Sequence, residues 1–186
     1  MSEPQARSHW QLRFGGMGGQ GVVVIGDTIA LAGALTGWHA AGSTSYGAQA
    51  RGGASKSDVV LSRDPIDFPH VERPDALVLI SQEAYEAYTA DEPRPPLILV
   101  DSFVVHPAAL GPDVRLVEIN ATGLAMDELG NRQGSNFVIM GAFLAATGIL
   151  TAEAVDAAIE QKMAPHWWEL NKRALRVGFD AVGALA

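Results

Sequence analysis

The 186-residue chain contains no cysteine. Disulfides, cysteine-ligated zinc, cysteine-held iron–sulfur clusters and a thiol nucleophile are therefore excluded on this chain. Charge is sparse as well. Only 18% of residues are Asp, Glu, Lys or Arg, against roughly a quarter in an average soluble protein, so part of the surface is expected to lie under a partner. The positive share is the smaller one: 13 Lys and Arg against 21 Asp and Glu, for a net charge of −8. A nucleic-acid binder needs a basic face to meet phosphates, so that class is disfavoured. No apolar run reaches the roughly 20 residues that span a bilayer. The uncharged stretch FVIMGAFLAATGIL (137–150) reads as a buried helix, and the polar opening MSEPQARSH carries no signal-peptide core. A cytoplasmic protein with no membrane contact is expected.

Catalytic signatures are missing too. There is no G-x-S-x-G elbow, no H-E-x-x-H and no close histidine pair; His39, His70, His106 and His166 are scattered, and His9 lies in the opening segment. For each histidine a surface or hydrogen-bonded structural role is the default. No catalytic or metal-binding residue is assigned.

Glycine and apolar residues are abundant, at 20 residues and 48%, and they organise the chain. Strands are read at 10–15, 38–42, 57–62, 75–81, 97–102 and 114–120, of which 75–81 and 97–102 are short β-branched runs of the buried parallel kind. Helical patterns cover 21–36, 82–90, 122–130, 135–148, 151–163 and 166–183. The helix at 21–36 is apolar nearly all round, so cover on both faces is expected. Alternating strands and helices with a helical tail predict an α/β fold: a mixed, mostly parallel sheet with flanking helices and a helical C-terminal part. Residues 10–186 read as one domain behind a flexible tail, 1–9.

The stretch RFGGMGGQGVVVIG (13–26) holds the first candidate site. Gly16-Met17-Gly18-Gly19-Gln20-Gly21 fits G-x-G-x-x-G between a strand and a helix, where backbone N–H groups can approach an anion. A NAD site also wants an acid at the end of the second strand, about 20 residues on, and GSTSYG (42–47) supplies none. The glycines could equally serve tight strand–helix packing alone. The second candidate is STSYGAQARGGASKS (43–57), read as a long functional loop. There Arg51 is followed by Gly52 and Gly53, Tyr46 offers a ring and a hydroxyl, Ser45 is one of several hydroxyls, and Lys56 is a second cation. That make-up suits a phosphate or carboxylate. Asp101 ends a strand where α/β crevices open, or caps the next turn; Glu83 reads as a first-turn carboxylate favoured by the helix dipole.

Five stretches in order, GGMGGQGVV, SYGAQARGGASKSDVVLS, PDALVLISQEAY, LGNRQGSNFVIMGAF and NKRALRVGF, resemble the gamma subunit of 2-oxoacid:ferredoxin oxidoreductases, equivalent to domain III of the single-chain enzymes. The likeness runs from Leu12 to Phe179, and SYGAQARGGAS is most similar to the 2-oxoglutarate type. The resemblance implies a subunit of a complex that converts a 2-oxoacid and coenzyme A to acyl-CoA and CO2. Thiamine diphosphate, Mg2+ and iron–sulfur clusters would sit on alpha, beta and iron–sulfur partner subunits, which pass electrons to ferredoxin or another acceptor. This chain would hold no cofactor alone. It would help bind coenzyme A and assemble the thiamine site, through Gly16, Gly18, Gly19, Gln20, Gly21, Ser45, Tyr46, Arg51, Gly52 and Gly53. Two other readings of the residues stand beside it: a self-sufficient nucleotide-binding protein using the Gly16–Gly21 loop, and a non-catalytic small-molecule module.

Overall fold

The computed structural model describes residues 7–46, 54–90 and 93–183. Six strands form one sheet: β1 (His9–Met17), β2 (His39–Ser45), β3 (Ala54–Ser62), β4 (Ala76–Leu79), β5 (Leu97–Asp101) and β6 (Arg115–Ile119). Their order across the sheet is β2-β3-β1-β4-β5-β6. β1, β4, β5 and β6 run parallel, while β3 is antiparallel to both of its neighbours. This is the mixed, mostly parallel sheet that the sequence pattern predicts.

Side chains alternate across each strand, so one apolar run feeds two cores. Ala76, Val78, Leu97 and Leu99 enter the larger core, whereas Leu77, Leu79, Ile98 and Val100 enter the smaller one. The smaller core lies under α2 (Gln82–Thr89), which contributes Ala84 and Tyr85. Ser81 caps that helix by accepting a hydrogen bond from the Ala84 N–H at 3.2 Å, and Glu83 sits exposed in its first turn.

The larger core lies under α1 (Val22–Leu35), α3 (Ala121–Leu129), α4 (Ser135–Thr147), α5 (Ala152–Lys162) and α6 (Trp168–Gly183). α4 is apolar all round because it is covered all round: Phe137 to Leu144 are buried without a break. Phe143 meets Phe14 of β1 edge to face at 5.6 Å, and α6 covers the other side. Where α4 and α6 cross, a Cβ on Gly141 would overlap the carbonyl oxygen of Leu175, and one on Gly178 that of Val138. The two backbones touch at this crossing.

Two expectations need correction. Residues 43–57 are not one long loop: β2 continues to Ser45 and β3 starts at Ala54, in antiparallel register from His39 opposite Ser62 to Ser45 opposite Lys56. A run of small serine, alanine and glycine residues shows no apolar alternation to mark a strand, but here the small side chains suit a close contact. Ser57 is buried beneath α1, and a Cβ on Gly26 would collide with its Oγ. Secondly, α1 is not covered on both faces within the described residues. Val22, Ile25, Ile29 and Ala32 are buried, while Asp27, Ala34 and Leu35 are exposed.

Candidate functional site

Parallel strands carry their ligand crevice at their C-terminal ends, where the chain turns to opposite sides of neighbouring strands. Here that point lies between β1, whose chain returns through β2 and β3 on one flank, and β4 on the other. The glycine loop leaves β1 at this point. Its turn is held by its own residues: the Gln20 N–H donates to the Met17 carbonyl at 3.2 Å, and Gln20 Oε1 accepts from the Met17 N–H at 2.6 Å. The Gln20 oxygen is thus spent on shaping the loop.

The glycines divide by task. Gly16 belongs to β1, and a Cβ there would press on Ile80, Gln20 and Val22, so it serves packing. Gly18 is exposed. Gly19 has φ +88 and open space where a side chain would stand. Gly21 is the N-cap of α1 with φ +83, and Asn136 Nδ2 lies 2.5 Å from where its Cβ would be. No side chain caps α1 and no acid stands in its first turn. Among the described residues nothing therefore neutralises its leading N–H groups and the positive end of its dipole.

A cavity of about 440 Å³ opens in front of this helix end. The glycine loop forms one wall. The opposite wall is the turn from α3 into α4, with Arg132, Gln133, Ser135 and Asn136. Arg132 is exposed, its guanidinium 5.9 Å from the centre of the Phe103 ring. Asp101 also reaches this cavity, but it is only 2% exposed and its carboxylate is engaged. It accepts from Thr122 Oγ1 at 2.6 Å and from the N–H groups of Phe103 and Thr122 at 3.2 and 3.3 Å. Asp101 thus ties the start of α3 to the end of β5 and turns the chain after the strand.

Behind the loop lies a smaller hollow of about 250 Å³, bordered by Gly18, Val23, Tyr46 and Ser55. Tyr46 is 67% exposed at its rim, and Ser45 ends β2 opposite Lys56. The loop is therefore a ridge between two concavities. Lys56 is committed elsewhere, with Nζ 3.2 Å from Asp58 Oδ2. Asp58 is buried, and it also takes two bonds from Arg13 across the β1–β3 register, at 2.7 and 2.9 Å. Tyr88 borders this pair; burial pushes its pKa up, Arg13 opposes that and Asp58 adds to it. Arg51, Gly52 and Gly53 lie outside the described residues.

The sheet order also accounts for the missing ribose acid. In a dinucleotide fold the second strand lies beside the first and places its terminal acid near the loop. Here antiparallel β3 occupies that position, and Ser55 faces Gly16. The residues that sequence reasoning passed over are Arg132 to Asn136. Their signal was present in LGNRQGSNF, where three amides, a hydroxyl and a cation crowd a turn before an apolar helix.

The family described as pyruvate ferredoxin/flavodoxin oxidoreductase matches residues 11–181. The chain is 35% identical to 2-oxoglutarate synthase subunit KorC of Methanocaldococcus jannaschii over 187 aligned residues, covering all of both chains. It is 34% identical to KorC of Archaeoglobus fulgidus, covering 91% of this chain and 86% of that one. Among solved structures, the gamma subunit of keto/oxoacid ferredoxin oxidoreductase from Geobacter sulfurreducens superposes with a TM-score of 0.82 at 35% identity, covering 94% of this chain and 99% of that one. The 2-oxoglutarate:ferredoxin oxidoreductase of Magnetococcus marinus, solved with 2-oxoglutarate, coenzyme A and succinyl-CoA bound, shares the fold. Its TM-score is 0.86 at 22% identity, covering 97% of this chain and 32% of that one. With a family match over nearly its whole length and relatives this similar, among them a gamma subunit, the chain belongs to the pyruvate ferredoxin/flavodoxin oxidoreductase family.

Proposed function

We propose that this chain is the gamma subunit of a 2-oxoglutarate-type oxidoreductase and supplies the anion-binding part of its coenzyme A site. The observation that carries this is the uncapped N-terminus of α1, with Gly19 at positive φ in open space, facing Arg132 across the crevice. A diphosphate fits such a pair: main-chain N–H groups take its oxygens from one side, and a planar guanidinium takes them from the other. Ser135 and Asn136 add neutral donors on the same wall. The coenzyme A in the Magnetococcus marinus structure supports the ligand class.

Thiamine diphosphate with Mg2+, together with iron–sulfur clusters, would supply decarboxylation and electron transfer toward ferredoxin or another acceptor. Without cysteine this chain cannot ligate a cluster through thiolates, so those groups belong to alpha, beta and iron–sulfur partner subunits. The role of this chain is to bind and orient the phosphates of coenzyme A, so that its thiol end reaches an acyl group generated on a partner. Residues 10–186 act as one domain, in the cytoplasm. On the far side of the ridge, Ser45, Tyr46 and the Arg51-Gly52-Gly53 run take part either as further phosphate ligands or as a contact with the thiamine-binding subunits.

The test is calorimetric titration of coenzyme A into the assembled complex carrying Arg132→Ala. A charged hydrogen bond contributes roughly 1.5–3 kcal/mol, so affinity should fall about tenfold or more while assembly stays intact. Unchanged affinity in both Arg132→Ala and a Gly19→Ala complex would refute the reading.

A further inference from the structure

α4 joins two regions of the molecule. Its first residues, Ser135 and Asn136, line the crevice, while Leu144 and Ala145 near its other end open onto a separate cavity of about 500 Å³. The helix has 13 residues, so its two ends stand roughly 20 Å apart. This cavity is no part of the crevice.

α5 and α6 close it. Its floor is apolar: Leu144 and Leu150 are buried there, and Phe179 of α6 stands 39% exposed. Its charged residues are Glu153, Arg176 and Asp180. Arg176 is spent, because its Nη2 is paired with Asp156 Oδ2. Glu153 and Asp180 are both exposed, and neither has an ion pair among the described residues.

The fold accounts for one of these acids and not for the other. Glu153 stands in the first turn of α5, where the helix dipole favours a carboxylate. Its pKa is lowered, chiefly by its own backbone N–H, with the Thr151 hydroxyl and Arg176 adding to this. Asp180 stands in the last turn of α6, which holds no basic residue. There the carbonyl groups make the negative end of the dipole, and a carboxylate is repelled. A local rule broken without a compensating contact in the fold points to a functional demand. Beside it, Phe179 leaves much of its ring uncovered.

An apolar floor under two carboxylates, with no unspent cation, fits an aliphatic stem that ends in a positive charge. The stem lies over Leu144 and Leu150, and the charge reaches the rim. Arginine suits the site better than lysine, because a planar guanidinium stacks on Phe179 and pairs edge-on with a carboxylate.

We propose that this cavity is a docking pocket for an arginine presented by another subunit of the complex. This rests on the gamma-subunit reading above and adds to it a contact at the end of α4 remote from the crevice. The charge balance favours that occupant over a second copy: with 21 Asp and Glu against 13 Lys and Arg, the chain attracts a basic partner and repels itself.

The test titrates the full chain, labelled at its N-terminus, into the remaining subunits of the complex and reads affinity by fluorescence anisotropy at two salt concentrations. Asp180→Arg sets like charges against each other and should weaken binding about a hundredfold. Asp180→Asn keeps the shape and should weaken it about tenfold, with a flatter salt dependence. Phe179→Ala should also cost about tenfold. Thermal melting separates docking from folding: Asp180→Asn removes a charge that the dipole repels, so it should melt no lower than wild type. Wild-type affinity in both Asp180→Arg and Phe179→Ala overturns the docking pocket and leaves the crevice reading standing. Self-association of the wild-type chain that Asp180→Arg abolishes in sedimentation also overturns it, by assigning the pocket to a second copy. If the wild-type chain does not bind the other subunits, the gamma-subunit reading falls and the pocket falls with it.

Discussion

Gly19 and Gly21 share a left-handed backbone, with φ of +88 and +83, but not their surroundings. Alanine at either position meets the same penalty for positive φ, about 1–2 kcal/mol. For a chain of this size each kcal/mol lowers the melting temperature by roughly 2–4 °C, so Gly19→Ala should cost about 2–8 °C. Its new methyl group enters open space and strains nothing further. Gly21→Ala meets Asn136 Nδ2 at 2.5 Å as well. That amide can yield only by turning away from the Phe137 N–H, to which its oxygen is bonded at 2.9 Å. Overpacking of this kind adds about 1–3 kcal/mol, so Gly21→Ala should be the less stable of the two.

The discriminating control is Gly148→Ala. Gly148 caps the C-terminus of α4 with φ +63, has nothing near its absent Cβ and lines no part of the crevice. Backbone strain alone should make Gly148→Ala and Gly19→Ala melt alike. Ligand approach should separate them: coenzyme A affinity stays at the wild-type level in Gly148→Ala and falls about tenfold in Gly19→Ala, the equivalent of one lost charge-assisted hydrogen bond. Differential scanning calorimetry and ligand titration on the three assembled variants give both numbers. Equal melts with equal, wild-type affinities would show that nothing approaches the loop and that its glycines serve folding alone.

Gly141→Ala and Gly178→Ala should each destabilise the chain by about 3 kcal/mol or more in chemical denaturation, because either methyl group must part α4 from α6. Arg13→Met should cost about 3 kcal/mol, since it strands a buried carboxylate; Lys56 remains near Asp58 and limits the loss. Arg13→Met combined with Asp58→Leu should recover much of it, and a double mutant no better than the single would refute the ion-pair account. Arg51→Ala should weaken coenzyme A affinity or subunit assembly about tenfold, with Arg51→Lys restoring only part, as titration and size-exclusion of the mixed subunits will tell apart. The purified chain alone should be colourless and should not reduce a dye in the presence of 2-oxoacids; visible absorption from an intrinsic cluster would contradict the assignment of redox groups to partners.

The parts of the fold legible in the sequence are those whose burial is uniform. β4 and β5 are covered on both faces, so ALVL and LILVD declare themselves without any need for alternation. α2 announces its start through Ser81, and α4 its depth through an unbroken apolar run. The β2–β3 pairing was hidden for a physical reason. Val59 to Leu61 mark the second half of β3, but its start is small where α1 comes closest: Gly26 sits over Ser57. The start of the strand beneath a close helix therefore carries no large apolar residue to announce it, and the glycine that demands this lies some thirty residues away in the chain.

In the glycine loop, packing and binding divide along its length. Gly15 and Gly16 belong to a strand whose neighbours Tyr88, Leu79 and Ile80 leave no room for a Cβ. Gly18 and Gly19 have room and leave it open. A chain under selection for packing alone has no need of glycine where nothing stands nearby, except to hold positive φ, and an asparagine tolerates that conformation as well. Gly19 therefore has two demands on it, a left-handed turn and an unobstructed approach, and the second is meaningful only with an opposite wall. Arg132 to Asn136 form that wall, brought there by the turn into α4. The crevice is thus half written in a motif that sequence reading finds, and half in a segment more than a hundred residues later whose position only the fold reveals.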